Sequence, residues 1–204
     1  MDFIPVQCIL TALKYESAPI IDYYGLVRVK TFDFPVFRHG SRVLIGIGVG
    51  KKYIRNRICE LYAQKQNYEK YQFINIGIAG GNPANTVLGE CYMVNKIYDQ
   101  NEKIYFYPYL SKKHPFEERA IVTVDQEVIN GGSEYSELVD MEASVIFQAC
   151  ETLVPNSRHS FIKIVSDHMD LNKVELNKNR ISKLISNKMD TIDSFLQSCH
   201  YDKH

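Results

Sequence analysis

The chain has no excess of charge of either sign: its 24 lysines and arginines meet 24 aspartates and glutamates. A neutral chain offers no electrostatic footprint for nucleic acid or an anionic membrane, so neither is expected as a partner. It has no CxxC pair either. Cys8, Cys59, Cys91, Cys150 and Cys199 are odd in number, widely spaced and set among apolar neighbours. That pattern argues against a disulfide framework or a zinc site, and reduced thiols in a cytoplasmic protein fit it. No metal and no cofactor are expected. No apolar run approaches the length that spans a bilayer. The opening MDFIPVQCILTAL carries an acid at position 2 and no basic stretch, so it reads as a first strand rather than a signal peptide. No linker, repeat or low-complexity stretch divides the 204 residues, and one domain over residues 1–204 is expected.

What is present is an ordinary globular composition, 45% apolar and 24% charged, with room for a sizeable core. Apolar runs predict strands at Val6–Leu13, Val27–Phe34, Val36–Phe37 and, after a His39-Gly40 turn, Ser41–Ile47. Further strands are predicted at Phe73–Ala79, Glu90–Tyr98, Lys103–Leu110, Arg119–Val124 and Phe161–Val165. Helical spacing falls on Glu16–Leu26, with Pro19 tolerated in the first turn, and on Lys51–Gln64. A helix starting near Met141 is expected to bury Ile146, Ala149, Cys150 and Leu153. One closing helix carries Ile181, Leu184, Ile185, Met189, Ile192, Phe195 and Leu196 on a single stripe. The lysines from Lys173 to Lys188 read as a solvated helix face. Strands alternating with helices predict an α/β domain with a mixed sheet. In such sheets ligands lie beyond the carboxyl ends of strands. Glu16, Gly77 to Gly81, Asp140 to Glu142 and Ser166-Asp167 each follow a predicted strand and are placed to converge there.

The individual motifs each have a plain structural reading. GIGVGK (Gly46–Lys51) lacks the spacing of a dinucleotide fingerprint or a phosphate loop, so its glycines are read as a strand-to-helix turn. GIAGG (Gly77–Gly81) reads as a tight turn between strands in which glycine supplies positive φ, leaving backbone open to a small ligand. Asp140 and Glu142 suit a helix N-terminus, Glu16 a helix start and Ser166-Asp167 an N-cap.

Taken together, FINIGIAGGNPANTVLGEC (Phe73–Cys91), LVDMEAS (Leu138–Ser144) and KIVSD (Lys163–Asp167) resemble, in that order, the purine nucleoside phosphorylase and nucleosidase superfamily. The resemblance covers most of the chain. It implies a three-layer fold with a central mixed β-sheet flanked by helices, and cleavage of the bond between a purine and a ribose. It assigns Glu142 to the ribose hydroxyls, Met141 to the sugar face and Asp167, beside Ser166, to protonation of the base. Glu16 matches the glutamate with which methylthioadenosine/S-adenosylhomocysteine nucleosidases hold the attacking water. Lys163 falls where they carry an arginine near the same water, which places it among the residues expected to meet the substrate. Gly80, Ile78 and Val128 complete the implied pocket.

Hydrolysis is preferred to phosphorolysis, because Asn75 and Ile78 stand where bacterial phosphorylases need an arginine and a serine for phosphate. The expected substrate is an adenosine thioether, and the resemblance also implies a homo-oligomer, a dimer favoured. A futalosine-type hydrolase (suggested by ESAPII and INIGIAG), a phosphate-dependent phosphorylase and a nucleoside-binding member without turnover stand as alternatives. Three departures from the nucleosidases stand out: a short Asp99–Arg119 region, Glu127 in place of a base-stacking aromatic, and Ile78 in place of a serine at the water site.

Overall fold

The computed structural model describes residues 4–66, 69–110, 113–170 and 177–199. Chain order runs β1 (Ile4–Thr11), α1 (Lys14–Tyr24), β2 (Val27–Arg28), β3 (Val36–His39), β4 (Arg42–Gly46), α2 (Ile54–Ala63) and β5 (Glu69–Gly81). It continues through β6 (Cys91–Asp99), β7 (Ile104–Phe106), β8 (Glu117–Thr123), β9 (Leu138–Asp140), α3 (Ala143–Glu151), β10 (His159–Asp167), α4 (Lys178–Ser186) and α5 (Met189–Ser198).

All ten strands join one mixed sheet. The axis of that sheet is β5, whose apolar run is nearly all buried, as a strand covered on both faces must be. Along one edge it pairs in parallel with β10. Along the other it pairs first with β1, over Glu69–Asn75, and then with β9, at Gly80-Gly81. Because β10 also pairs with β6, β6 with β8 and β8 with β9, the strands β5–β10–β6–β8–β9 close into a ring. The strands β1, β4, β3 and β2 extend from it as an open wing.

Alternation along the strands sends side chains to two cores. Cys8 and Leu10 of β1 join Ile54 and Ile58 of α2 and Ile146 and Phe147 of α3 on one face. Ile9 of β1 and Ile162 and Ile164 of β10 join Ile20 of α1, Ile185 of α4 and Ile192 and Leu196 of α5 on the other. The result is helix, sheet, helix: the three-layer α/β architecture expected from the sequence.

Several local expectations are corrected. The single closing helix is two, α4 and α5, separated at Asn187-Lys188. The stripe survives because both helices lay it on the same core. Val27–Phe34 is strand only at Val27–Arg28, and Lys103–Leu110 only at Ile104–Phe106. Leu138–Asp140 is a strand of three residues, too short to give a periodic signal. The helix expected near Met141 begins at Ala143. Part of the lysine stretch, residues 173–176, lies outside the described residues. Among the described residues no helix is long and apolar enough to cross a membrane.

Candidate active site

The sheet brings the end of β1, which pairs with β5, beside the ends of the ring strands β5, β9 and β10, and each end supplies a carboxylate or the backbone that holds one. After β1 the chain turns at Ala12-Leu13 into α1. Glu16, in the first turn, reaches back so that Oε2 accepts from the N–H groups of Ala12 (2.9 Å) and Leu13 (2.8 Å). This is the ordinary reach of an N3 glutamate to the start of its own helix. Its other oxygen, Oε1, accepts from Ile78 N–H on β5 at 2.9 Å, which fixes the carboxylate against the sheet. Gly77 makes that approach possible, since a Cβ there would lie 2.9 Å from Glu16 Oε1. Burial pushes the Glu16 carboxyl up, while these three N–H groups and the charge of Lys163 pull it back.

The glycines of GIAGG therefore act differently from the expectation. Gly77, Gly80 and Gly81 are strand residues outside the positive-φ set. They are small because neighbours press on them: Met169 Cγ would stand 2.7 Å from a Cβ on Gly80.

At the end of β9, Asp140 is tied inward. Its Oδ1 accepts from Thr123 Oγ at 2.9 Å, and its Oδ2 accepts from Ala143 N–H at 2.9 Å and meets Lys163 Nζ at 2.8 Å. Glu142 is the residue just before α3, with φ of −131°, and its Oε1 accepts from Gly50 N–H at 2.8 Å. Burial first, then the adjacent Asp140 carboxylate, push Glu142 up to about 7, against the pull of Lys163 and Gly50. GIGVGK thus does more than turn the chain. Gly48 and Gly50 have φ of +85° and +72°, values glycine reaches freely, and the turn they make aims an N–H at Glu142. The sequence signal was present in the paired glycines, but their target lies 92 residues away.

At the end of β10 the register with β5 slips between Val165 and Asp167, a bulge that turns two side chains into the site. Ser166 and Asp167 both belong to β10, so the N-cap expectation for Ser166 is replaced: its Oγ donates to Asp167 Oδ2 at 2.6 Å. Asp167 Oδ1 accepts from Met169 N–H at 2.7 Å. Met169 itself has φ of +58° and is buried against Gly132, a wall the sequence did not announce.

Between these ends lies a cavity of about 400 Å³. Glu16, Ile78, Gly80, Val128, Met141, Glu142, Ser166 and Asp167 all line it, with Glu127, Asp140, Val49 and Met169. Lys163 does not: it is 2% exposed and lies behind the wall, paired with Asp140. The expectation that it meets the ligand is corrected on that ground. Glu16, Glu127, Asp140, Glu142 and Asp167 give the lining five carboxylic acids, and among the described residues no lysine, arginine or histidine joins them. No group of three His, Cys, Asp or Glu among the described residues is arranged to hold a metal ion.

The fold is similar to that of solved nucleosidases. Solved structures similar to the chain include the 5′-methylthioadenosine nucleosidase of Arabidopsis thaliana, with a TM-score of 0.78, 14% identity, and 100% of this chain and 98% of that one covered. The 5′-methylthioadenosine/S-adenosylhomocysteine nucleosidase of Neisseria meningitidis, solved with methylthio-immucillin-A, has a TM-score of 0.77 at 16% identity, covering 96% and 100%. That of S. pneumoniae, solved with a transition-state inhibitor, has 0.75 at 18%, covering 95% and 98%. No protein-family model matches the sequence. No curated protein matches it either.

Proposed function

We propose that the protein is an N-ribosyl hydrolase that releases the base from a purine nucleoside, with an adenosine thioether as substrate. The observation that carries this reading is the charge of the cavity: five carboxylic acids line it and no cation among the described residues does. A dianionic phosphate needs charged donors and would meet like charge instead, whereas water is held well by carboxylates. The likeness of fold to nucleosidases that bind methylthio-immucillin-A supports the choice of substrate.

In this reading Glu142 accepts hydrogen bonds from the ribose hydroxyls, and its charge stabilises the positive sugar that forms as the bond to the base breaks. Asp167, oriented by Ser166 and Met169 N–H, passes a proton to the imidazole part of the purine as the bond's electron pair moves onto the base. Glu16 has three of roughly four acceptor sites filled by backbone, which leaves about one for a water. That water attacks the anomeric carbon and gives its proton to Glu16. The products are free base and free sugar. A cytoplasmic homodimer belongs to the same reading.

The test is release of base from a panel of purine and pyrimidine nucleosides with and without inorganic phosphate, followed by chromatography. Free sugar in the absence of phosphate is expected, the 5-thio-substituted ribose from an adenosine thioether and ribose from an ordinary nucleoside. Strict dependence on phosphate, or no release from any nucleoside, would overturn the assignment.

A further inference from the structure

Beneath the cavity wall the fold buries one cation among three acids. Lys163 sits mid-strand in β10, and its Nζ lies 2.8 Å from Asp140 Oδ2. An ammonium has three protons to donate, and Asp140 takes one of them. Three acids surround this cation: Asp140 at the end of β9 pairs with it, Glu142 follows Asp140 by two residues at the start of α3, and Glu16 from α1 lays its carboxylate against Gly77, the β5 residue paired with Lys163 in the sheet. Glu142 also faces Gly50 N–H, and Lys51 on that same loop is turned away to Asp99 (3.0 Å) and Asp125 (2.8 Å). Asp167, farther along β10, faces the cavity.

Three carboxylates in a water-poor setting with one cation are short of positive charge, and such groups take up protons rather than stay ionised together. Glu16 and Glu142 must be ionised to hold water and stabilise a cationic sugar. We infer that Lys163 is a positioning residue that never touches the substrate and keeps Glu16 and Glu142 ionised from behind the wall, so that it sets the acid limit of the reaction. This rests on the hydrolase reading for its consequence, but not for its electrostatics.

The directions agree. Burial would lower the Lys163 ammonium, yet Asp140, Glu142 and Glu16 together hold it above the ordinary lysine value. Reciprocally, Lys163 pulls Glu16 down, and it opposes burial and Asp140 at Glu142. A cation favours the ionised form of a carboxylate, so removing it moves both groups further up.

The experiment compares wild type, Lys163→Arg, Lys163→Met and the double variant Lys163→Met with Asp140→Asn. The acid limb of kcat/KM against pH is expected to move up by about one pH unit or more in Lys163→Met, which is about a tenfold loss on that limb. Lys163→Arg keeps the limb in place. The double variant also removes the charge that raises Glu142, so its limb shifts less than that of Lys163→Met, and it carries the test if the single variant fails to fold. A merely structural lysine would lower the whole profile without moving the limb. In parallel, ¹³C-NMR titration of the glutamate carboxyls reads Glu16 and Glu142 directly, with no turnover needed. Carboxyl titrations that do not move when Lys163 is replaced would overturn the inference, whatever the activity. Absence of turnover in wild type would overturn the hydrolase reading alone.

Discussion

At the scale of single residues, the site depends on carboxylates whose surroundings differ. Asp167 is held from both oxygens by Ser166 Oγ and Met169 N–H, and Glu142 by one N–H among the described residues. Asp167→Asn keeps the shape and removes the proton donor, so kcat/KM for base release is expected to fall by about 10² to 10⁴. Glu142→Gln removes the charge facing the sugar and is expected to abolish most turnover as well. Circular dichroism should show both variants folded, and near-normal rates in either would dismiss the assigned roles. Glu142 is pushed up to about 7, and it must be ionised to act. Its charged form is lost as pH falls through that value, so kcat/KM is expected to decline on the acid side of about pH 7. Gly77→Ala offers a finer probe. Its Cβ would crowd Glu16 Oε1 at 2.9 Å, displacing a carboxylate held by three N–H groups, so activity should drop several-fold and thermal stability should fall with it as those donors lose their acceptor.

At the scale of elements, β10 does two jobs at its two ends. Its last residues form the bulge that presents Asp167, and its first residue, His159, is buried between Phe147 and Phe161 with neither ring nitrogen bonded among the described residues. Burial lowers His159 from the ordinary 6.5 to about 4. Above about pH 6.5 the folded and unfolded chains are both neutral at this ring, and the native state is undisturbed. Between 6.5 and 4 the unfolded chain binds a proton that the native ring refuses, so stability is lost as pH falls through that window. The effect amounts to about 3 kcal/mol in full. Urea unfolding from pH 7 to pH 4.5 should therefore show a shallower acid loss for His159→Leu than for wild type, and parallel slopes would refute this account.

The strands also show what local pattern can and cannot reveal. FINIGIA is legible because six of its seven residues are apolar or small, interrupted only by Asn75, and such a run has few alternatives to a buried strand. β9 is not legible, because three residues carry no period, and its place is decided by pairing with Gly80-Gly81 and with β8. The closing stripe was visible as a face, while the break between α4 and α5 leaves that face unchanged and so leaves no trace in its spacing.

At the scale of the whole molecule, the helix–sheet–helix layering hides most of the thiols. Cys8, Cys91 and Cys150 are buried, and burial pushes all three thiols up, away from the reactive thiolate. Cys59 and Cys199 are half-buried. A maleimide reagent at pH 7 is expected to modify only Cys59 and Cys199 in the native protein and all five cysteines after unfolding. Mass spectrometry of the intact chain reads this directly, and rapid labelling of Cys8 or Cys150 would contradict the layering.

The sequence by itself determined the class of fold and most of the strands, because these follow from periodicity and glycine placement, and the resemblance of its short motifs pointed to Glu16, Glu142 and Asp167 as candidate acids. Only the tertiary structure decided which groups meet. It put Gly50 against Glu142 and Ile78 against Glu16, and it withdrew Lys163 behind Asp140. The reason is physical: hydrophobic period is a local property of the chain. Distances between charges separated by many tens of residues are set by sheet register and ring closure.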